Sequence, residues 1–249
     1  MKGPVIAGLA AMIATFVIAA PASLASLFID FSGSRIAVSS IDGTIWNGVA
    51  RGLSVNAAPL GDVSYRLSPL SLLTLSPKVS FDARGGAVIG QGVASVRPGG
   101  GFTLSRVKAD IALDAVAPKG LFGEPARGVA RIDIARLDFS PARGCKSAEG
   151  TLWTNVLDAP SLRFGMPALP LSGTLACDGD DLRVALSGEN PSAGADISLR
   201  IDRTFAYELA ATVKLSKDDM ASAFRMFGFE DANGALTYGS TGVLRSAGS

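Results

Sequence analysis

The sequence predicts a mainly β protein. It reads as a curved, largely antiparallel sheet, an open or partial barrel with two related halves as one form of it. One N-terminal transmembrane helix and one short helix near the C-terminus complete the expectation. Three observations predict this. A nearly unbroken apolar run extends from Val5 to Leu27. Beyond it, apolar and polar residues alternate in short stretches. Turn signals interrupt those stretches at intervals of roughly ten residues, a spacing that suits a meander.

The apolar run reads VIAGLAAMIATFVIAAPASLASL, with Lys2 the only charge before it and Asp30 the first after it. Its 23 residues at a rise of ~1.5 Å span roughly 34 Å, enough to cross a bilayer with modest tilt. The positive-inside tendency leaves residues 1–4 in the cytoplasm and sends residues 28–249 across the membrane. The competing reading is a cleaved signal peptide, with Ala20-Pro21-Ala22 as its small-residue site. Against it, apolar character continues through Leu24, Leu27, Phe28 and Ile29. Both readings export the rest of the chain.

Strand periodicity is clearest over residues 187–215. Ile197, Leu199 and Ile201 alternate with Asp196, Ser198, Arg200 and Asp202; Tyr207, Leu209, Ala211, Val213 and Leu215 follow the same rule. A period of two means one dry face and one wet face. Similar runs occupy residues 35–38, 61–66, 78–83, 87–96, 107–113, 131–139 and 182–186. Turns are expected at Asp42-Gly43, Arg84-Gly85-Gly86, Pro98-Gly99-Gly100-Gly101, Asp178-Gly179 and Asn233-Gly234. The run at 131–139 changes phase between Ile134 and Leu137, which predicts a β-bulge near Ala135. Residues 68–75 read as a short helical or crossing segment. Residues 216–227 read as a helix capped by Ser216, with Asp218 and Asp219 in its first turn and Met220, Ala223, Phe224 and Phe227 on one face.

Composition narrows the function. Charge is balanced, 23 Lys+Arg against 22 Asp+Glu, and no basic cluster stands out, which argues against a nucleic-acid surface. Charged residues are only 18% of the chain, below the ~25% usual for soluble domains. A chain so poor in charge is expected to have its apolar surface covered by a partner, lipid or membrane. Cys145 and Cys177 both follow the apolar run. In an oxidising compartment an isolated pair of this kind usually closes a disulfide. Two free buried thiols are the other reading, and two thiols fall short of a zinc tetrad.

There is no histidine, so Ser-His-Asp, Cys-His and His-metal chemistry are excluded. No phosphate-binding or dinucleotide loop follows a strand and opens a helix. Asp178, Asp180 and Asp181 lack the ligand spacing of a calcium loop and read as a hairpin turn. Serine and lysine are present, but nothing singles out a dyad. The residues predict no enzyme and no cofactor.

A short motif recurs. Gly43-Thr44-Ile45-Trp46-Asn47-Gly48 is echoed by Gly150-Thr151-Leu152-Trp153, and more faintly by Gly173-Thr174-Leu175 and by Gly234-Ala235-Leu236. Each copy is expected to set Gly before a strand, with the tryptophans as packing centres that cover the glycine from the sheet face. A membrane segment, then Gly-Thr-x-Trp-x-Gly, then Cys-x4-Gly-Thr-x-Trp (Cys145 to Trp153), then Leu-x-Gly-Thr-x-x-Cys (Leu171 to Cys177) is an order that resembles the type II secretion system protein N family. The resemblance implies a single-pass inner-membrane protein with a periplasmic C-terminal domain and no enzymatic activity. It would be accessory to the machine that exports folded proteins across the outer membrane. Its implied partners are other secretion-system subunits, inner-membrane or secretin components. The curved-sheet reading also resembles the AsmA-like and lipopolysaccharide-transport families, which implies the alternative of shielding lipid in an apolar groove.

Overall fold

The computed structural model describes residues 36–55, 58–72, 74–116, 127–163, 165–216, 221–226, 228–232 and 234–243. The expected membrane segment at 5–27 lies outside them, as do Asp218, Asp219, Met220 and Phe227. Among the described residues no helix is long and apolar enough to cross a membrane.

The described residues form one 15-stranded sheet. In chain order the strands are β1 (Ile36–Ala37), β2 (Ser40–Gly43), β3 (Asn47–Val55), β4 (Ala58–Leu67), β5 (Lys78–Gly85), β6 (Val88–Val96), β7 (Phe102–Ala112), β8 (Val129–Ser140), β9 (Gly144–Thr154), β10 (Leu171–Asp178), β11 (Asp181–Asn190), β12 (Ala193–Ile201), β13 (Ala206–Leu215), β14 (Glu230–Ala232) and β15 (Ala235–Val243). From β3 to β13 each strand pairs antiparallel with the next, β15 then adds to β13, and β14 and β1–β2 form the edges. Four short helices interrupt the meander: α1 (Pro69–Leu72), α2 (Leu113–Val116), α3 (Asp158–Arg163) and α4 (Ala221–Met226). The predicted helices near 68–75 and 216–227 thus correspond to α1 and α4. The Ser216 hydroxyl donates to the Pro191 carbonyl, across the β11–β12 turn; the first turn it is expected to cap lies outside the described residues.

The register makes the alternation of each strand continuous across the whole sheet. One transverse row runs Ala50, Val63, Ala83, Gly90, Ala109, Ile132, Leu152, Gly173, Leu186, Ile197, Ala211, Tyr238, with every member apolar, aromatic or glycine. The neighbouring row on the other face runs Ile89, Asp110, Arg131, Trp153, Ser172, Ser187, Asp196, Thr212, Thr237, Glu230. A single sheet with one dry face has no second layer to pack on, so it must curl that face onto itself or cover it with its connections.

Both happen. At the β10–β13 end, α3, α4 and the segment 165–170 cover the apolar face, and Leu169, Leu171, Ala195, Val213, Phe224 and Phe229 form one cluster there. Phe229 meets Phe224 edge-on at 5.2 Å. In the middle, Phe139 of β8 is only 1% exposed. It contacts Phe102 at 5.9 Å and Phe205, in the β12–β13 turn, at 5.4 Å. Contact between strands so far apart in the sheet order requires the sheet to curl.

The bend has a local cause. Pairing of β8 with β9 shifts by one residue between Ile134 and Arg136, leaving Ala135 as the extra residue. The expected bulge is therefore present. Pairing of β6 with β7 shifts as well, around Arg106, which adopts a left-handed φ of 52°. Ser105 pairs with Arg136 and Val107 with Ile134, so the two bulges lie side by side. Adjacent bulges bend both strands at one height while keeping their mutual register. On the inner side of the curl half of that row is glycine or alanine: Ala50, Ala83, Gly90, Ala109, Gly173 and Ala211. A Cβ on Gly173 would stand 1.7 Å from the Ala185 carbonyl oxygen, and one on Gly92 2.7 Å from Val107 Cγ2. These glycines serve by taking no room.

Replacing Phe139 with alanine is expected to lower unfolding free energy by about 3–5 kcal/mol in a denaturant titration. A cost below about 1 kcal/mol would mean that the curl does not depend on this ring.

Candidate interaction surface

An antiparallel meander collects alternate turns at one end. Here the β2–β3, β4–β5, β6–β7, β8–β9, β10–β11 and β12–β13 connections share an end, called the turn end below; β1 begins at the opposite one. The turn end between β6 and β13 is tied together by three devices.

The first is the disulfide. Cys145 and Cys177 are bonded, with a Cα–Cα distance of 5.6 Å, and join the start of β9 to the end of β10. Beside it the Cys145 N–H donates to the Asp180 carbonyl at 2.7 Å, so the β10–β11 turn lies against β9. Gly179, with φ of +63°, supplies the left-handed step in that two-residue turn, in line with the hairpin expected from Asp178-Gly179.

The second is an ion pair across two turns. Arg97, after β6, donates through both terminal guanidinium nitrogens to the carboxylate of Asp138 in β8. The Asp138 side chain is 5% exposed and that of Arg97 31%. Hydrogen bonding from Arg97 holds the Asp138 carboxyl below its usual range, against the opposing effect of burial.

The third is the β12–β13 turn. Asp202 Oδ1 accepts from the Thr204 N–H and hydroxyl and from the Ala206 N–H. Those bonds lower its pKa, the Thr204 hydroxyl first. They also hold Phe205 at a φ of 60°, which places its ring on Phe139. Left-handed backbone is uncommon for a non-glycine residue, so the carboxylate fixes a conformation that the ring contact needs.

The motif residues are distributed differently from expectation. Gly43, Thr44, Trp46 and Gly48 lie in and beside the β2–β3 hairpin turn. There the Thr44 hydroxyl accepts from the Trp46 and Asn47 N–H groups, and the Tyr65 hydroxyl donates to the Thr44 carbonyl. Gly48 lies under that tyrosine, since a Cβ would be 2.7 Å from its oxygen. Gly150, Thr151 and Trp153 sit inside β9, and Gly173 and Thr174 inside β10, rather than before a strand. Gly150 and Gly173 belong to the apolar face; Thr151 and Thr174 pair with each other on the polar face. The copies hold non-equivalent positions along one uninterrupted sheet, so they do not mark two related halves.

Trp153 is not a packing centre. It points to the polar face, pairs with Arg131 and Ser172, and keeps 37% of its surface exposed. Parity decides this: Leu152, one residue earlier, takes the inward position. The Arg131 guanidinium carbon stands 5.7 Å from the Trp153 ring centroid while Arg131 Nε donates to Asp110 at 2.8 Å. A shallow hollow beside the ring is lined by Asp133, Thr151, Ser172 and Thr174. Lys108 and Asp133 pair next to it at 3.0 Å. An exposed tryptophan stacked with arginine is a pair enriched at protein contacts. Sequence reading missed this site because the period-two alternation of β9 is interrupted near its start, between Asp138/Ser147 and Phe139/Cys145.

Among the described residues no group of three or more Asp, Glu or Cys could hold a metal ion. The model of type II secretion system (T2SS) protein N matches residues 34–238, nearly the whole sheet from β1 into β15. The chain belongs to the type II secretion system protein N family. No curated protein and no solved structure matches the chain. As a family member it is a component of the secretion system and belongs to the cell envelope.

Two outcomes follow. Cys145→Ser is expected to remove about 3.5–4 kcal/mol of stability, read by chemical denaturation, through the roughly 33-residue loop it opens. Arg97→Gln leaves a buried carboxylate without its guanidinium partner, with only the more distant charges of Lys146 and Arg136 acting on it, which costs about 2–3 kcal/mol at pH 7. Asp138 has a depressed folded pKa, so its contribution in the parent protein is present above the unfolded value and is lost as pH falls through the folded one. The stability gap between parent and Arg97→Gln should therefore narrow as pH falls out of the usual carboxylate range and close only below the depressed folded value of Asp138, where the carboxyl takes a proton in both. A gap independent of pH would refute the pairing.

Proposed function

We propose that this protein is a non-enzymatic accessory scaffold of the type II secretion machine, held in the inner membrane by residues 5–27 with residues 28–249 in the periplasm. The observation that carries this reading is the family match over residues 34–238 of a chain whose described residues form one rigid, stapled sheet. The oxidised cysteine pair agrees with a compartment outside the cytoplasm. The polar outer face, with Trp153 and Arg131 at its centre, is the contact surface for another secretion subunit, an inner-membrane or secretin component.

The alternative, an apolar trough that shields lipid, finds less support. Where the inner face is best enclosed, between α3, α4 and strands β12–β13, the cavity measures about 40 Å³. That volume admits a few water-sized groups and no acyl chain; the larger, more open hollow over β3–β6, about 680 Å³, sets Arg66, Asp82, Gln91 and Arg106 beside Tyr65 and Phe81, a lining too charged for an acyl chain.

Deletion of the gene is expected to leave exported proteins in the periplasm, or to slow their release, with envelope lipids unchanged. Trp153→Ala should reproduce much of that defect while its melting curve stays far closer to the parent's than that of Phe139→Ala. Normal secretion by Trp153→Ala would remove the outer face from the reading. A C-terminal topology reporter active only in the cytosol would remove the membrane assignment.

A further inference from the structure

The β4–β5 connection inverts the usual rule of burial. Among its described residues the one that is buried is polar, Ser71, while Leu70 is 75% exposed, Leu75 71% and Leu72 40%. Val96, at the neighbouring end of β6, is 54% exposed and donates its N–H to the Pro77 carbonyl, so it joins the same patch. Isolated exposed leucines need no explanation; a contiguous group at one tip does.

The hydrogen bonds show that the leucines are held outward. The Ser71 hydroxyl donates to the Ser68 carbonyl at 2.6 Å and accepts from the Lys78 N–H at 2.8 Å. Thr74 Oγ1 donates to the Ser71 carbonyl at 2.8 Å. Serine thus takes the inward position that a leucine would fill in an ordinary loop. Leu75 is kept out by a left-handed backbone, φ 50°.

Charge identifies the occupant. Residues 67–77 carry no charge and are bounded by Arg66 and Lys78, both exposed. Arg97 and Arg143 lie on the next two connections of the same end. The acids near the tip are engaged: Asp138 is buried under Arg97, and Asp42 pairs with Arg51 at 2.8 Å. The acidic turn carrying Asp178, Asp180 and Asp181 lies five strands away from β5 along the sheet, and Asp178 and Asp181 there face Arg183 and Arg200. Leucines at an uncharged tip flanked by the exposed Arg66 and Lys78 match the interface of an anionic bilayer.

We infer that the β4–β5 tip is a second membrane contact, Leu70, Leu72 and Leu75 entering the acyl region of an anionic bilayer surface and Arg66 and Lys78 meeting the headgroups. It rests on the anchor proposed for residues 5–27 but not on the secretion role. Reach allows it: a link of residues 28–35 spans up to about 27 Å, enough for strands about 30 Å long, such as the nine-residue β3, to tilt toward the bilayer plane. In that tilt a domain tethered at the far end lays its turn end on the same bilayer.

The test uses the full chain reconstituted in vesicles of phosphatidylcholine alone or mixed with phosphatidylglycerol. A Leu70→Cys variant, with Cys145 and Cys177 still bonded, carries an environment-sensitive fluorophore; Lys108→Cys on the outer face is the reference. In anionic vesicles the label at position 70 should shift to the blue and lose roughly half its intensity to nitroxides on the upper acyl chain. The reference should do neither. Each basic side chain near such a surface contributes about fivefold to partitioning, so Arg66→Gln with Lys78→Gln should lower the ratio of inserted to free label about thirtyfold. A label at position 75 repeats the measurement independently. Emission that stays water-like at both positions overturns the inference. So does a blue shift that nitroxide lipids fail to quench, which would mean the tip is covered by protein.

Discussion

The structure depends on one constraint: a single antiparallel sheet with a dry face must hide that face from water without a second sheet. The transverse inner rows are mostly apolar, the central one throughout, and the outer row beside it is largely polar. Neither row could face water on both sides, so the sheet curls. Curling compresses the inner surface and stretches the outer one. The chain accommodates this with glycine and alanine on the inner rows and with paired bulges at Arg106 and Ala135, where two strands bend together.

The curl brings the turn end together, and the chemistry found there is fastening chemistry. A disulfide, a partly buried Arg97–Asp138 pair and the Asp202-held turn each join elements that lie apart in the sequence. They fix the shape of an inner face that the chain largely fills with its own side chains near α3 and α4. A scaffold that acts through shape needs such rigidity, and a lipid carrier would need the space that these side chains occupy. The outer face is left to make contacts, with its cross-strand ion pairs and the exposed Trp153.

Two surfaces remain that the fold does not use for itself. One is the polar patch around Trp153 and Arg131. The other is the leucine tip between β4 and β5. They differ in character, one aromatic and hydrogen-bonding, the other apolar with a basic rim. Different partners suit them: a protein for the first and a bilayer for the second.

The sequence by itself determined the strand class, most strand runs, the turn positions, the bulge at Ala135 and the fitness of Cys145 and Cys177 to pair. It did so because period-two alternation, turn glycines and cysteine parity are local and need no knowledge of neighbours. The motif order also pointed to the family. Only the tertiary structure decided that Trp153 faces outward, because strand register assigns a side chain to one face or the other and the early bulge in β9 hides that parity. The reach of Arg97 to Asp138, the contact of Phe205 with Phe139 and the outward leucines of the β4–β5 connection likewise come from the curl and from hydrogen bonds that no sequence period encodes.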